Sequence, residues 1–236
     1  KALAIDPNLP EARFSLGLAL ADAFEWERGL AEMRRALELN PNFALAHDQH
    51  AFVLTCLGRH DEAIAAERKA LALDPLSGFL QNGLAWWLYN ARRYDESLAE
   101  ARKAIELDPS LPWSYSTLGC SLIQKGDLPG GLEAILKAKS LDDQPWFDGM
   151  IGYIYARSGE REKAEVVLRN LDALAQRRFV TPSAFINIHL GLGEKDKALT
   201  WLERALEGQD GISCWWLKVE PLFDPVRGEP RFQALL

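Results

Sequence analysis

Basic residues, cysteines and long apolar runs are all scarce in this chain. Lys plus Arg number 27 against 34 Asp plus Glu, a formal net charge of -7 over 236 residues. A surface that neutralises phosphates needs the opposite sign, which argues against nucleic acid and anionic membrane as partners. The three cysteines, Cys56, Cys120 and Cys214, lie far apart and none belongs to a Cys-x-x-Cys pair. They read as reduced thiols of a cytoplasmic protein. No apolar run approaches the roughly 20 residues that cross a bilayer, so no membrane contact by this chain is expected. An address could lie outside it, because it opens without Met.

Catalytic patterns are missing too. There is no Gly-x-Ser-x-Gly, no Gly-x-x-x-x-Gly-Lys-Ser/Thr phosphate loop and no His-Glu-x-x-His. "GLGEKD" at 191 holds two glycines of a dinucleotide fingerprint but no strand precedes it. "LDDQPWFDG" at 141 has the wrong acid spacing for a calcium loop. No cofactor is implied.

What the chain does have is 48% hydrophobic and 26% charged residues, a composition that can bury a core. Four stretches end alike, "KALAIDPN", "RALELNPN", "KALALDPL" and "KAIELDPS", and their prolines Pro7, Pro41, Pro75 and Pro109 are 34 apart each time. A strict period of that size marks a stacked array of helical hairpins. Between the prolines, apolar residues recur at helical spacing in two runs broken by turn clusters such as "LGRHDE", "ARRYDE" and "KGDLPG". Small residues recur where paired backbones must approach: Gly17, Ala51, Ala85, Gly119 and Gly152 on first helices, then Gly29, Ala63, Ser97, Gly131, Ala164 and Ala198 on second helices. The phase slips once, because Gly119 to Gly152 is 33 residues and Asp143 stands where a proline is expected.

Three of the four histidines fall in one short stretch, "AHDQHAFVLTCLGRH". His47 and His50 are three apart and could share a helix face, the basis of a remote metal-dependent enzyme reading. Counting in steps of 34 splits the three apart. His47 aligns with Arg13, Gln81 and Tyr115, His50 with Leu16, Leu84 and Leu118, and His60 with Trp26, Tyr94 and Leu128. These are structural slots, and no metal site is expected. One oddity remains: Glu67 occupies a column otherwise held by Met33, Ala101, Ile135, Leu168 and Leu202. A buried carboxylate without a partner is costly, so His50 and Glu67 are expected to form a structural polar pair, directly or through water, with two tolerated surface residues as the alternative.

The Leu-Gly-aromatic elements "LGLAL", "LGCSL" and "IGYIY", with "DEAIAAERKALALDP" at 61, resemble the tetratricopeptide repeat (TPR) family. The resemblance covers about residues 1 to 206 and implies an all-α fold, a right-handed superhelix of stacked antiparallel helix pairs. The expected organisation is the tail of a truncated preceding repeat at 1–9, four units at 10–143, two divergent units at 144–208 and a C-terminal cap at 209–236. Because the first unit lacks its first helix, the chain is expected to be part of a longer protein. By resemblance, the slots facing the groove hold Phe14, Asp48 and Phe52, then Asn82, Trp86 and Tyr89, then Trp113 and Gln124, then Trp146 and Tyr153. Glu11, Leu18, Leu45, Phe79, Ser116, Cys120 and Arg157 fall in the same rows. With Arg157 the single basic member, the row does not match the carboxylate-clamp members of the family. It suits a protein or peptide segment with apolar anchors, although any one ring can equally serve packing between units.

The tail no longer follows the repeat. Pro221, Pro225 and Pro230 divide it, and Trp215, Trp216, Leu217, Leu222 and Phe223 are expected to cover the last hairpin. "WLERALE" followed by "WLKVEPLFDPVRGEPRFQALL" is similar to the C-terminal repeat block of bacterial signalling proteins. In those the block follows a class III nucleotide cyclase, a winged-helix DNA-binding domain or a Ser/Thr kinase. The expected function is a non-catalytic interaction module regulating such an output domain by binding a protein segment or by forming a homodimer; a stand-alone scaffold is the alternative.

Overall fold

The structure, a computed structural model, describes residue 6, residues 8–208 and residues 215–236. Pro7, Cys214 and most of the truncated N-terminal tail therefore lie outside the described residues.

Twelve helices run in pairs. The first pair is α1 (Pro10–Asp22) and α2 (Trp26–Leu39), followed by α3 (Ala44–Cys56) with α4 (His60–Leu73), and α5 (Gly78–Asn90) with α6 (Tyr94–Leu107). Then come α7 (Pro112–Gln124) with α8 (Leu128–Leu141), α9 (Pro145–Arg157) with α10 (Arg161–Ala175), and α11 (Pro182–Gly191) with α12 (Lys195–Glu207). A 3-10 turn (Pro221–Phe223) and a last short helix, α13 (Pro230–Gln233), complete the described elements. The protein is all-α and built as a TPR-type solenoid of helix pairs.

The hairpin turns follow one recipe. Each first helix ends on a left-handed residue: Phe24, Gly58, Arg92, Gly126, Gly159 and Gly193. The next amide then reaches back across the helix end, as in Arg59 N–H to the Leu54 carbonyl at 2.8 Å and Glu160 N–H to Tyr155 at 2.9 Å. This closure satisfies carbonyls that a helix end leaves open. The slip of one residue in the repeat falls between Gly126 and Gly159, so the turn keeps its geometry across the change of phase. Second helices end on extended residues, Asn40, Asp74 and Asp108, each before a proline that excludes helical geometry there. Asp142 takes the same extended conformation before Asp143, without a proline to impose it.

The chain divides into two compact units, one ending at Asp108 and one beginning at Pro109. In the first unit the small-residue columns do what their spacing predicts. A methyl group on Gly17 would meet Met33 Cγ at 2.7 Å and the Gly29 carbonyl at 3.0 Å, and one on Gly29 would meet the Gly17 carbonyl at 2.8 Å. Ser97 sits in the same column and donates its hydroxyl to the Ala85 carbonyl at 2.7 Å. In the second unit Gly119 faces Ile135 and the Gly131 carbonyl in the same way.

The last two hairpins use small residues differently. A methyl on Gly149 would lie 2.5 Å from Ala184 Cα and 2.6 Å from its carbonyl oxygen, and one on Gly191 would lie 2.8 Å from the Tyr153 carbonyl. A methyl on Gly152 would meet Ile188 at 2.6 Å on α11 as well as Val167 of α10 at 3.4 Å. Here α9 and α11, two first helices, touch backbone to backbone. Phe185, stacked on Trp201 at 4.3 Å, fills the space behind them with Leu171 and Ile188.

Candidate functional site

The first-helix rows carry two kinds of side chain. Some are turned to solvent: Leu45 is 46% exposed and Phe79 is 55% exposed in the first unit, and Trp113 is 42% exposed in the second. These three hold the same slot, 34 residues apart. Phe52, Asn82, Trp86, Gln124 and Trp146 are half-buried. Others face inward, with Phe14, Asp48, Tyr89 and Tyr153 all buried.

Ring packing accounts for much of the aromatic content. Phe14 lies 5.0 Å from Phe43, and Phe52 lies 6.4 Å from Trp26 and 6.3 Å from Trp87. Trp86 stacks on Tyr89 at 4.8 Å with 21° between the planes. Trp113 touches Phe147 at 5.4 Å and Trp146 at 6.0 Å. A half-buried ring held by a buried one costs little entropy to order when a partner docks.

The histidine stretch separates as the columns imply. His47 Nε2 lies 2.9 Å from the Pro41 carbonyl, and its column mate Tyr115 donates to the Pro109 carbonyl at 3.2 Å. The two other members of that column, Arg13 and Gln81, reach instead to Glu32 and Glu100 on the following helix. Among the described residues, no group of three or more His, Cys, Asp or Glu side chains is placed to hold a metal ion.

His50 and Glu67 do not meet. Glu67 is fully buried and accepts a 2.7 Å hydrogen bond from the Trp87 indole, while its other oxygen has no donor. That oxygen and Asp48 Oδ1 both border Gly83, 3.0 Å and 3.4 Å from where a methyl on it would sit. Burial, and then the neighbouring Asp48 charge, push the Glu67 carboxyl up to about 9. Burial likewise raises Asp48 to about 6, against the hydrogen bonds it accepts from Gln49 and Glu67. A protonated Glu67 thus becomes the donor and Asp48 its acceptor, so the proton supplies the partner that the sequence assigned to His50. His50 Nε2 is buried with no hydrogen-bond partner, and burial, then the Arg34 charge, bring the ring down to about 4. The two residues diverge because His50 faces Arg34, Arg59 and Glu62, whereas Glu67 points to α3 and α5 at Asp48 and Trp87. Gly83 marks the spot in sequence, since only a residue without Cβ leaves room for both carboxyls.

In the second unit the tail enters the first-helix row. Pro221, Asp224 and Pro225 line a cavity of about 500 Å³ with Ile123, Gln124, Gly126, Leu128, Tyr153 and Arg157. The Glu220 carboxylate acts on the Cys120 thiol and the Tyr153 phenol, both buried. Further along, Arg231 binds Glu203 at 2.9 Å and Asp196 at 3.2 Å, and Lys195 binds Glu229 at 2.7 Å, which fastens α13 to the last hairpin. The described part of the tail is therefore tied to the final helix pair by ion pairs, and it also crosses back over α7 and α9.

No family model matches this chain, and no curated protein matches it. Solved structures do resemble it. PilW, a widely conserved type IV pilus biogenesis factor, superposes with a TM-score of 0.67 at 16% identity, covering 96% of this chain and 97% of that one. PilF of Pseudomonas aeruginosa superposes with a TM-score of 0.62 at 22% identity, over 89% of this chain and 96% of that one. YrrB, described as a TPR protein with an unusual peptide-binding site, gives 0.52 at 22% identity over 84% and 94%. At these identities the likeness shows the fold alone.

Proposed function

We propose that this chain is a non-catalytic protein-interaction module whose first-helix rows, within each unit, hold a partner segment. The observation that carries this is the repeated exposure of a large apolar side chain at one slot, Leu45, Phe79 and Trp113. A fold that buries Leu54, Leu88 and Ile123 elsewhere on the same helices has no packing reason to leave three such side chains in water. In the second unit, half-buried Gln124 on the helix of Trp113 adds an amide that can bond an extended or helical backbone. A solved structure of similar fold is described as having a peptide-binding site, which supports the class of ligand.

The tail resemblance supports a regulatory place in a larger bacterial signalling protein, acting in the cytoplasm on an attached nucleotide cyclase, DNA-binding or kinase domain, with self-association as a second mode. A stand-alone scaffold fits the exposed anchors equally. Among the described residues no helix is long and apolar enough to cross a membrane.

The test is a pull-down from the source cell with wild type, Phe79→Ala and Trp86→Ala. A partner lost about tenfold or more on either change, with helical circular dichroism intact, supports the reading, because a central aromatic anchor contributes about 1.5–2 kcal/mol or more. Capture that neither change weakens contradicts it.

A further inference from the structure

The slots Ser116, Cys120 and Tyr153 belong to the same first-helix rows as the exposed anchors, yet they are 2%, 1% and 6% exposed. Beside them runs the chain's own C-terminal segment, with Glu220 close to Cys120 and Tyr153. Pro221, Asp224 and Pro225 face Ile123, Gln124, Tyr153 and Arg157 across the cavity.

The segment is built as a ligand would be. Glu220 folds its carboxylate onto the Leu222 amide at 3.1 Å and starts the 3-10 turn, which presents Pro221, Leu222 and Phe223, all buried. Arg227 ties the turn together through the carbonyls of Lys218 at 2.7 Å and Glu220 at 3.0 Å. A compact turn fixed by its own hydrogen bonds has little conformational entropy left to lose on docking.

The fit is incomplete. The cavity of about 500 Å³ stays open at the flank of the turn, and Arg157 at its edge makes no ion pair among the described residues. Tyr153 is more than nine-tenths buried and lines the cavity with no hydrogen-bond partner for its hydroxyl.

We propose that the first-helix row of the second unit is a docking surface for a short turn carrying an acid and prolines, with Glu220–Pro225 as its resident occupant. A partner segment of the same chemistry, carrying one further carboxylate for Arg157, displaces the resident. This rests on the reading of the rows as a binding surface, and it names the partner chemistry for one part of them.

Cys120 reports the state of the surface. In full-length protein, iodoacetamide labelling is followed residue by residue by mass spectrometry, with Cys56 of the first unit as internal reference. Leu222→Asp unseats the buried turn and is expected to speed Cys120 labelling at least tenfold while Cys56 is unchanged. Added peptide 215–228 then restores protection saturably, and the same peptide with Glu220→Ala and Phe223→Ala does not. If Leu222→Asp lowers the helical signal, the milder Phe223→Ala is read instead.

Cys120 labelling that stays slow in a folded Phe223→Ala variant, or a peptide 215–228 that fails to protect, overturns the inference. A partner that depends on Phe79 and Trp86 but leaves Cys120 labelling unchanged would sink it while the general interaction reading stands. Tail exchange between two copies, seen as a dimer that the peptide dissociates, supports the surface and identifies its occupant.

Discussion

Both units close hairpins through a column of small residues, Gly17 with Gly29 in the first and Gly119 with Gly131 in the second, but the second adds close contacts from glycines outside that column. In the first, Gly17 and Gly29 join the two helices of one hairpin, and the nearest obstacle to a methyl on Gly17 is a side-chain atom, Met33 Cγ, with the Gly29 carbonyl behind it at 3.0 Å. In the second, Gly149 and Gly191 join the first helices of successive hairpins, with rigid backbone directly opposite. The repeat period thus fixes the close approach within a hairpin, whereas the approach between successive first helices is set by glycines outside the period. The units differ on their binding rows as well: Leu45 and Phe79 are open in the first, whereas Cys120 and Tyr153 lie beside the chain's own tail in the second.

The sharpest way to break this comparison is a matched pair of methyl insertions. Gly149→Ala is expected to cost about 3 kcal/mol, because Ala184 backbone cannot move aside, and Gly17→Ala about 1 kcal/mol, because Met33 can change rotamer. Thermal unfolding of the two variants checks this; equal costs would mean that the α9 to α11 contact is no tighter than an ordinary hairpin.

The next effect separates the units by pH. Glu67 titrates near 4.5 when unfolded and about 9 when folded, so the folded first unit holds the extra proton. Stability from this group is full below the unfolded value and is lost as pH rises towards the folded one. His50 has the opposite sign: its contribution is full above its unfolded value of 6.5 and is lost as pH falls towards about 4. Between pH 6.5 and 9, Glu67 is thus the group that titrates, and the first unit is expected to lose about 2 kcal/mol or more. Glu67→Gln can still accept from Trp87 and donate to Asp48, and should flatten the slope. Hydrogen exchange resolved by peptide separates the two units, and an equal slope in wild type and variant would refute the shared proton.

The hairpin turns supply a smaller effect. Gly126 and Gly159 have φ of 86° and 79° with open space where a Cβ would go, so Gly→Ala there isolates backbone strain. Each should cost about 1 kcal/mol, read as a shift in melting temperature of a few degrees. The smallest effect is in the histidine column: His47→Phe removes a buried bond worth about 1 kcal/mol, and Tyr115→Phe an exposed one worth about 0.5 kcal/mol. Melting curves of the two variants compare the same slot in the two units.

Much of the fold was legible because each device repeats. The prolines, the left-handed turn residues and the small columns all return at 34 residues, and even the slip to 33 between Gly126 and Gly159 can be read directly. Column counting also placed His47 and Tyr115 in one structural role. It could not say which neighbouring helix a side chain faces. For that reason Glu67 was matched with His50 instead of Asp48, and the contact of Gly152 with Ile188, beside the one with α10, was not foreseen. The course of the tail was hidden because Glu220–Pro225 follows no repeat and its neighbours, Gln124 and Tyr153, are far away in sequence.

The central claim is that partners dock on the exposed slots of the first helices. The most direct measurement is photo-crosslinking in the source cell from a photoreactive phenylalanine placed at Phe79, with the same group at Leu136, an exposed position on the second helix α8, as comparison. A discrete adduct from position 79 that is absent from position 136, and that excess unlabelled chain competes away, is the predicted result. Adducts from position 136 alone, or the same pattern from both positions, would contradict the account.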